Sequence, residues 1–118
     1  MGSDPEYMDS IAYNVTKGGI ATFTKDLATK WAKYNINVNA IAPGLVPTPM
    51  WIQIDHERGE IFGSKSGEAM HNFIEQNIPL RRAATAEDLA AAVAFLCSPD
   101  ADYITGQCLN VDGGVEMD

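Results

Sequence analysis

Apolar residues at Ile20, Phe23, Leu27, Trp31 and Tyr34 return every three or four positions; just past Asn35 the rhythm becomes an alternation, Ile36-Asn-Val-Asn-Ala-Ile41. The first spacing is that of an amphipathic helix over residues 11–34, the second that of a β-strand. A long helix running straight into a β-branched strand confines the chain to the α/β class. Asp9 or Ser10 is placed to cap the helix, and Asn35 to stop it. Gly18-Gly19 inside the helix costs about 1 kcal/mol per glycine relative to alanine, which predicts close approach by another backbone or helix.

Pro43-Gly44 ends the strand, and Pro47 and Pro49 keep the next stretch extended. Residues 51–62 and 67–77 are shorter helical candidates, so residues 47–80 form a helical excursion, a lid over something else. Thr85 and Asp88 have capping-box spacing at the head of another helix. Its buried stripe is expected at Leu89, Ala92, Val93 and Leu96, and Pro99 follows its end. Gly106-Gln-Cys-Leu-Asn-Val111 reads as a second strand, closed by Asp112-Gly-Gly114. Two strands joined through helices predict a right-handed parallel βαβ unit.

Tyr13 and Lys17 stand at the head of the long helix with a spacing of one turn, which puts a phenol and an ammonium on one face. A neighbouring cation favours the phenolate and lowers the phenol's pKa. A free tyrosine titrates near ~10, and bringing it about three units down to working pH takes roughly 4 kcal/mol. The chemistry implied is proton exchange with a hydroxyl or carbonyl oxygen. A half-buried tyrosine with a solvated lysine is the plainer reading of the same pair.

At 118 residues, 46% apolar and 20% charged, the chain has the size and composition of one soluble globular domain. Its net charge of −8 argues against nucleic acid and anionic membrane as partners. No apolar run is long enough to span a bilayer and no secretory signal stands out, so a cytoplasmic location is expected. Cys97 and Cys108 do not share a metal-type spacing with His56 or His71; two buried thiols, two surface histidines and no metal site are expected. Residues 1–6 read either as a leader or as a native start.

Four motifs stand in order: Tyr13-x-x-x-Lys17; Asn37-Val-Asn-Ala-Ile-Ala-Pro43-Gly44; Thr48-Pro-Met50; and Ile104-Thr-Gly-Gln with Val111-Asp-Gly-Gly114. Together they resemble the C-terminal half of a short-chain dehydrogenase/reductase, over nearly the whole chain. Thr48-Pro-Met-Trp51 with Ile54-Asp and Ile61-Phe-Gly63 is similar to acetoin reductases and sorbitol-type dehydrogenases. Pro5-Glu-Tyr-Met-Asp-Ser-Ile-Ala-Tyr13 is similar to gluconate 5-dehydrogenases.

The resemblance implies an NAD- or NADP-dependent oxidoreductase that interconverts a secondary alcohol (a polyol, sugar acid or hydroxyketone) and a ketone. It makes Tyr13 the acid/base, and Lys17 the residue that lowers its pKa and hydrogen-bonds the nicotinamide ribose. Tyr13, Lys17, Pro43, Gly44, Val46 and Thr48 would contact the cofactor, and Met50 and Trp51 would open the substrate lid. Without the resemblance, Pro43-Gly44 and Asp112-Gly-Gly114 are simply turns and Trp51 a core residue.

The implied fold is the C-terminal portion of a Rossmann-like, doubly wound parallel sheet: two parallel strands with helices, in a single partial domain over residues 1–118. The dinucleotide-binding half is absent, because no glycine-rich strand-to-helix turn cradles a pyrophosphate. Ser3 and Ser10 stand too close to Tyr13 to match the family's catalytic serine. The isolated chain is therefore expected to be inactive. Its bare strand edge over 36–41 and the apolar face of the 11–34 helix would drive homo-oligomerisation. The alternative is an inactive fragment that acts only as an oligomerising or interaction module.

Overall fold

The computed structural model describes residues 5–47, 49, 53 and 68–116, with side chains from Val15 onward, Ala69 excepted. Its elements are α1 (Pro5–Trp31), β1 (Ala40–Pro43), α2 (Glu68–Asn77), α3 (Ala86–Leu96) and β2 (Cys108–Val111), with short 3-10 turns at Ala32–Tyr34 and Pro99–Ala101. β1 and β2 pair among the described residues. Ala40 donates to the Gln107 carbonyl at 2.9 Å and Gly44 to that of Val111 at 3.1 Å. Partners that advance together along both strands make the pair parallel, as expected of an α/β chain.

α1 begins at Pro5, not at Asp9 or Ser10. Proline suits the first helical turn because its missing N–H would have no partner there. The helix tightens into its 3-10 turn and stops at Asn35, whose φ of 60° is left-handed and whose N–H reaches the Ala32 carbonyl. Asparagine tolerates that conformation better than most residues.

β1 starts four residues later than the alternation predicted, and side chains are the reason. Val38 N–H donates to Thr105 Oγ1 (3.0 Å), and Gln107 N–H to Asn39 Oδ1 (3.1 Å). Asn39 Nδ2 donates to the Ile104 carbonyl, and Asn37 Nδ2 to that of Asp102. Asparagine and threonine side chains thus take over bonds a regular ladder would make. β2 likewise begins at Cys108 rather than Gly106, whose φ of 75° is left-handed.

The chain forms two compact units, one of residues 1–40 and 98–109, the other of residues 41–97 and 110–118. In the first, α1 buries Thr24 (5% exposed) and Ala28 (4%), while Ile20, Phe23 (62%), Trp31 and Tyr34 (64%) are exposed. The packed face is therefore the small-residue stripe rather than the large apolar one. A Cβ on Gly18 or Gly19 would meet nothing within 4 Å, so the close approach expected there does not occur among the described residues.

In the second unit Ala42, Leu45 and Ile78 are buried. The capping box at α3 is present as expected: Asp88 N–H donates to Thr85 Oγ1, and Thr85 N–H to the Asp88 carboxylate. The α3 stripe is shallower than expected. Leu89, Ala92 and Leu96 are half-buried and Val93 is exposed. Cys97 and Cys108 are exposed free thiols, not buried ones, and His71 is exposed as expected. The candidate helix over 51–62, Thr48, Met50, Trp51 and His56 lie outside the described residues.

Candidate functional site

Positions 13 and 17 both lie on α1, one helical turn apart. Lys17 is half-buried; the Tyr13 side chain lies outside the described ones. At 100° per residue, positions 13, 17, 24 and 28 fall within about 60° of one another around the helix. The candidate acid/base pair therefore continues the stripe that Thr24 and Ala28 bury further along. Thr24 satisfies its buried hydroxyl on the Ile20 carbonyl at 2.7 Å. At the other end of the stripe Gly106 comes close enough that a Cβ there would stand 3.4 Å from that of Ala28.

The other candidate residues, Pro43, Gly44 and Val46, belong to the second unit, where β1 runs out into a turn. Gly44 makes its backbone bond to Val111 and lies so close to the turn after β2 that a Cβ would stand 2.7 Å from Asp112 Cα. Only glycine fits that approach. Leu45 is 4% exposed and its carbonyl accepts the Ala84 N–H at 2.8 Å. Val46 is half-buried and Pro43 exposed.

The turn after β2 is as firmly held. Asp112 accepts the Gly114 N–H on Oδ1 and the Glu116 N–H on Oδ2, each at 3.0 Å. Gly113 has a φ of 68°, and its carbonyl accepts the Leu80 N–H. The Asp112-Gly-Gly114 motif is a turn whose carboxylate is used on backbone amides.

Sequence reasoning missed the segment that buttresses the turn at 44–46. Arg82 forms two bonds to the Asp88 carboxylate, Nη1 to Oδ2 at 2.7 Å and Nη2 to Oδ1 at 3.3 Å. The Arg82 guanidinium, followed by the Thr85 N–H, holds the Asp88 carboxyl well below the usual carboxylate range. The Thr85/Asp88 spacing announced the cap; nothing in the pattern announced that Arg82 would join it. A concavity of about 560 Å³ opens beside this segment, floored by Leu45, Ile78, Leu80 and Val111. Of the turn at 43–46, Leu45 is the residue that lines it, so it does not coincide with the expected nicotinamide contacts. Among the described residues no group of His, Cys, Asp and Glu is arranged to hold a metal ion, and no helix is long and apolar enough to cross a membrane.

A family model described as enoyl-(acyl carrier protein) reductase matches residues 2–116. The chain is 41% identical over 104 residues to L-2,3-butanediol dehydrogenase of Corynebacterium glutamicum, covering 88% of this chain and 40% of that protein. The crystal structure of L-sorbose reductase from Gluconobacter frateurii, complexed with NADPH and L-sorbose, is similar with a TM-score of 0.81 and 40% identity, over 90% of this chain and 40% of that one. A short chain dehydrogenase family protein from Francisella tularensis gives a TM-score of 0.83 at 36% identity, over 88% and 43%. The chain thus spans about two fifths of the length of these proteins.

Proposed function

The chain belongs to the short-chain dehydrogenase/reductase family, and on that premise we propose that it is the acid/base segment of an NAD- or NADP-dependent enzyme that interconverts a secondary alcohol and a ketone. The observation that carries this reading is the placing of positions 13 and 17 one turn apart on α1, with Lys17 half-buried. A partly desolvated ammonium acts on a neighbouring phenol more strongly than a solvated one.

In reduction the Tyr13 hydroxyl gives its proton to the carbonyl oxygen; in oxidation it takes the proton of the alcohol. Lys17 stands one turn from that phenol and offers an N–H to a ribose hydroxyl. The residues present fit the nicotinamide end of a dinucleotide. At the end of β1 Gly44 lies against Asp112, and the exposed Pro43 and half-buried Val46 beside it, together with Thr48, are the residues that would hold the nicotinamide. The glycine-rich turn that holds a pyrophosphate does not occur in this sequence. When bound, the nicotinamide supplies or accepts the hydride. The polyol and ketose names among the relatives motivate a small polyol or hydroxyketone as substrate, with Met50 and Trp51 on its lid.

The test is a chimera in which this chain replaces the matching part of L-sorbose reductase, assayed with NADPH or NADH and diacetyl or L-sorbose. We expect turnover that falls at least about 100-fold in Tyr13→Phe, with a smaller loss in Lys17→Met. A chimera that turns over equally well without the phenol sinks the reading. The 118-residue chain alone is expected to be inactive, since a misplacement of ~1 Å at the reacting atoms can cost ~100-fold; turnover by it would overturn that expectation.

The exposure of Ile20, Phe23 and Tyr34 favours a second reading, an inactive homo-oligomerising or interaction module that uses α1 and the edge of β1 that pairs with no strand among the described residues. Trp31 and Trp51 discriminate. Tryptophan fluorescence that ignores millimolar NADH while the chain sediments as an oligomer supports the module.

A further inference from the structure

The turn at 44–46 is held by more than its own strand, and the outermost part of the hold is an exposed ion pair. Leu45 hands its carbonyl to the Ala84 N–H at 2.8 Å. Ala84 is bracketed by two anchored residues. On one side Arg82 Nη1 donates to the Ala83 carbonyl at 3.2 Å as well as to Asp88. On the other the Thr85 N–H donates to Asp88 Oδ2 at 2.9 Å. A single carboxylate thus receives both the guanidinium and the cap amide. The segment 82–85 belongs to no strand among the described residues, so beyond the Ala84–Leu45 bond it is held by side chains.

We propose that Arg82 and Asp88 are positioning residues: a clamp that fixes the 82–85 segment so that Ala84 can hold Leu45, and with it the backbone of Gly44–Val46. The consequence for the cofactor, that the clamp sets where this backbone meets the nicotinamide, rests on the function proposed above. The clamp itself does not, because it can be measured without cofactor. A helix cap alone would anchor Thr85 and leave Ala83 and Ala84 to move; the bond from Arg82 to the Ala83 carbonyl extends the anchor past Ala84.

The experiment is amide hydrogen exchange by NMR on the full 118-residue chain, with the interior amides of α3 as an internal reference. In Arg82→Met, which keeps the capping box, we expect the Ala84 amide to exchange roughly threefold faster relative to α3. Asp88→Ala, which removes both anchors, should accelerate Ala84 further and carry Gly44 with it. Asp88→Glu, whose longer carboxylate still serves a capping box, should restore near-native exchange at Ala84. Unchanged Ala84 exchange in Arg82→Met and Asp88→Ala overturns the clamp. So does acceleration only in step with α3, which would make the pair a plain stabiliser of the helix. Should Asp88→Ala fail to fold, Arg82→Met and Asp88→Glu carry the same decision. The NADPH assays on the chimera decide the cofactor reading separately.

Discussion

The α1 region and the turn region around Gly44 both carry candidate site residues, yet the chain holds them differently. α1 buries Thr24 and Ala28 and leaves Ile20, Phe23, Trp31 and Tyr34 in solvent. The turn at 44–46 is tied to Val111, Ala84 and Asp112 within its own unit. The turn is thus specified by contacts within its own unit, whereas the large apolar residues of α1 meet no covering surface among the described residues. Burial of that face would contribute about 25 cal/mol per Å² of apolar area, a reserve that is unused here.

One substitution made in both regions should break this comparison most sharply. Gly44→Ala drives a methyl to 2.7 Å from the Asp112 backbone, where nothing flexible can yield. We expect a loss of about 2–3 kcal/mol, read as a lowered urea midpoint. Gly18→Ala and Gly19→Ala enter open space on a helix and should each gain about 1 kcal/mol. If the α1 glycines instead resist alanine, something does approach them in solution, and the difference between the regions disappears.

What could be read beforehand follows the same division. The long helix, the parallel strand pair, the Thr85 cap and the turn at Asp112 came from patterns that act over a few residues. The late start of β1 did not, because Asn37 and Asn39 look like solvent-facing strand positions until the 101–107 segment lies beside them. The apolar face of α1 was legible as a stripe and is uncovered at Ile20, Phe23, Trp31 and Tyr34, as expected; that Thr24 and Ala28 are buried instead was not announced, because hydrophobic periodicity reports what a helix would bury in its full context. The Leu45–Ala84 bond and the Arg82 contact join residues distant in sequence or of unremarkable spacing, so no local pattern carries them. The Tyr13–Lys17 spacing was legible because one helical turn suffices to bring the two positions together.

Gly113→Ala refines the comparison on the turn side. Its φ of 68° and a Cβ site 2.8 Å from Ile78 Cγ2 combine backbone and packing cost. The side chain of Ile78 can shift where the Asp112 backbone cannot, so we expect a smaller loss, about 1–2 kcal/mol. On the helix side, Phe23→Lys should change the stability of a monomer by less than about 0.5 kcal/mol, since the ring is 62% exposed. A larger loss, with a drop in sedimenting mass, would mean that copies of the chain cover that face in solution.

The smallest effect concerns acid. The Arg82 guanidinium and the Thr85 N–H hold Asp88 well below the ordinary carboxylate range, so its carboxylate favours the folded state above the unfolded pKa near ~4. That contribution fades as pH falls from there toward the depressed folded value, because protonation then costs the folded chain more than the unfolded one. Asp88→Asn removes the titration while leaving an oxygen for the Thr85 amide. The urea midpoints of wild type and Asp88→Asn should differ at neutral pH and converge below about pH 4. The pair is exposed, so the difference should also shrink in molar salt. A gap that stays constant across this range would show that Asp88 holds the cap through shape alone, and that the turn region owes nothing to the charge of its ion pair.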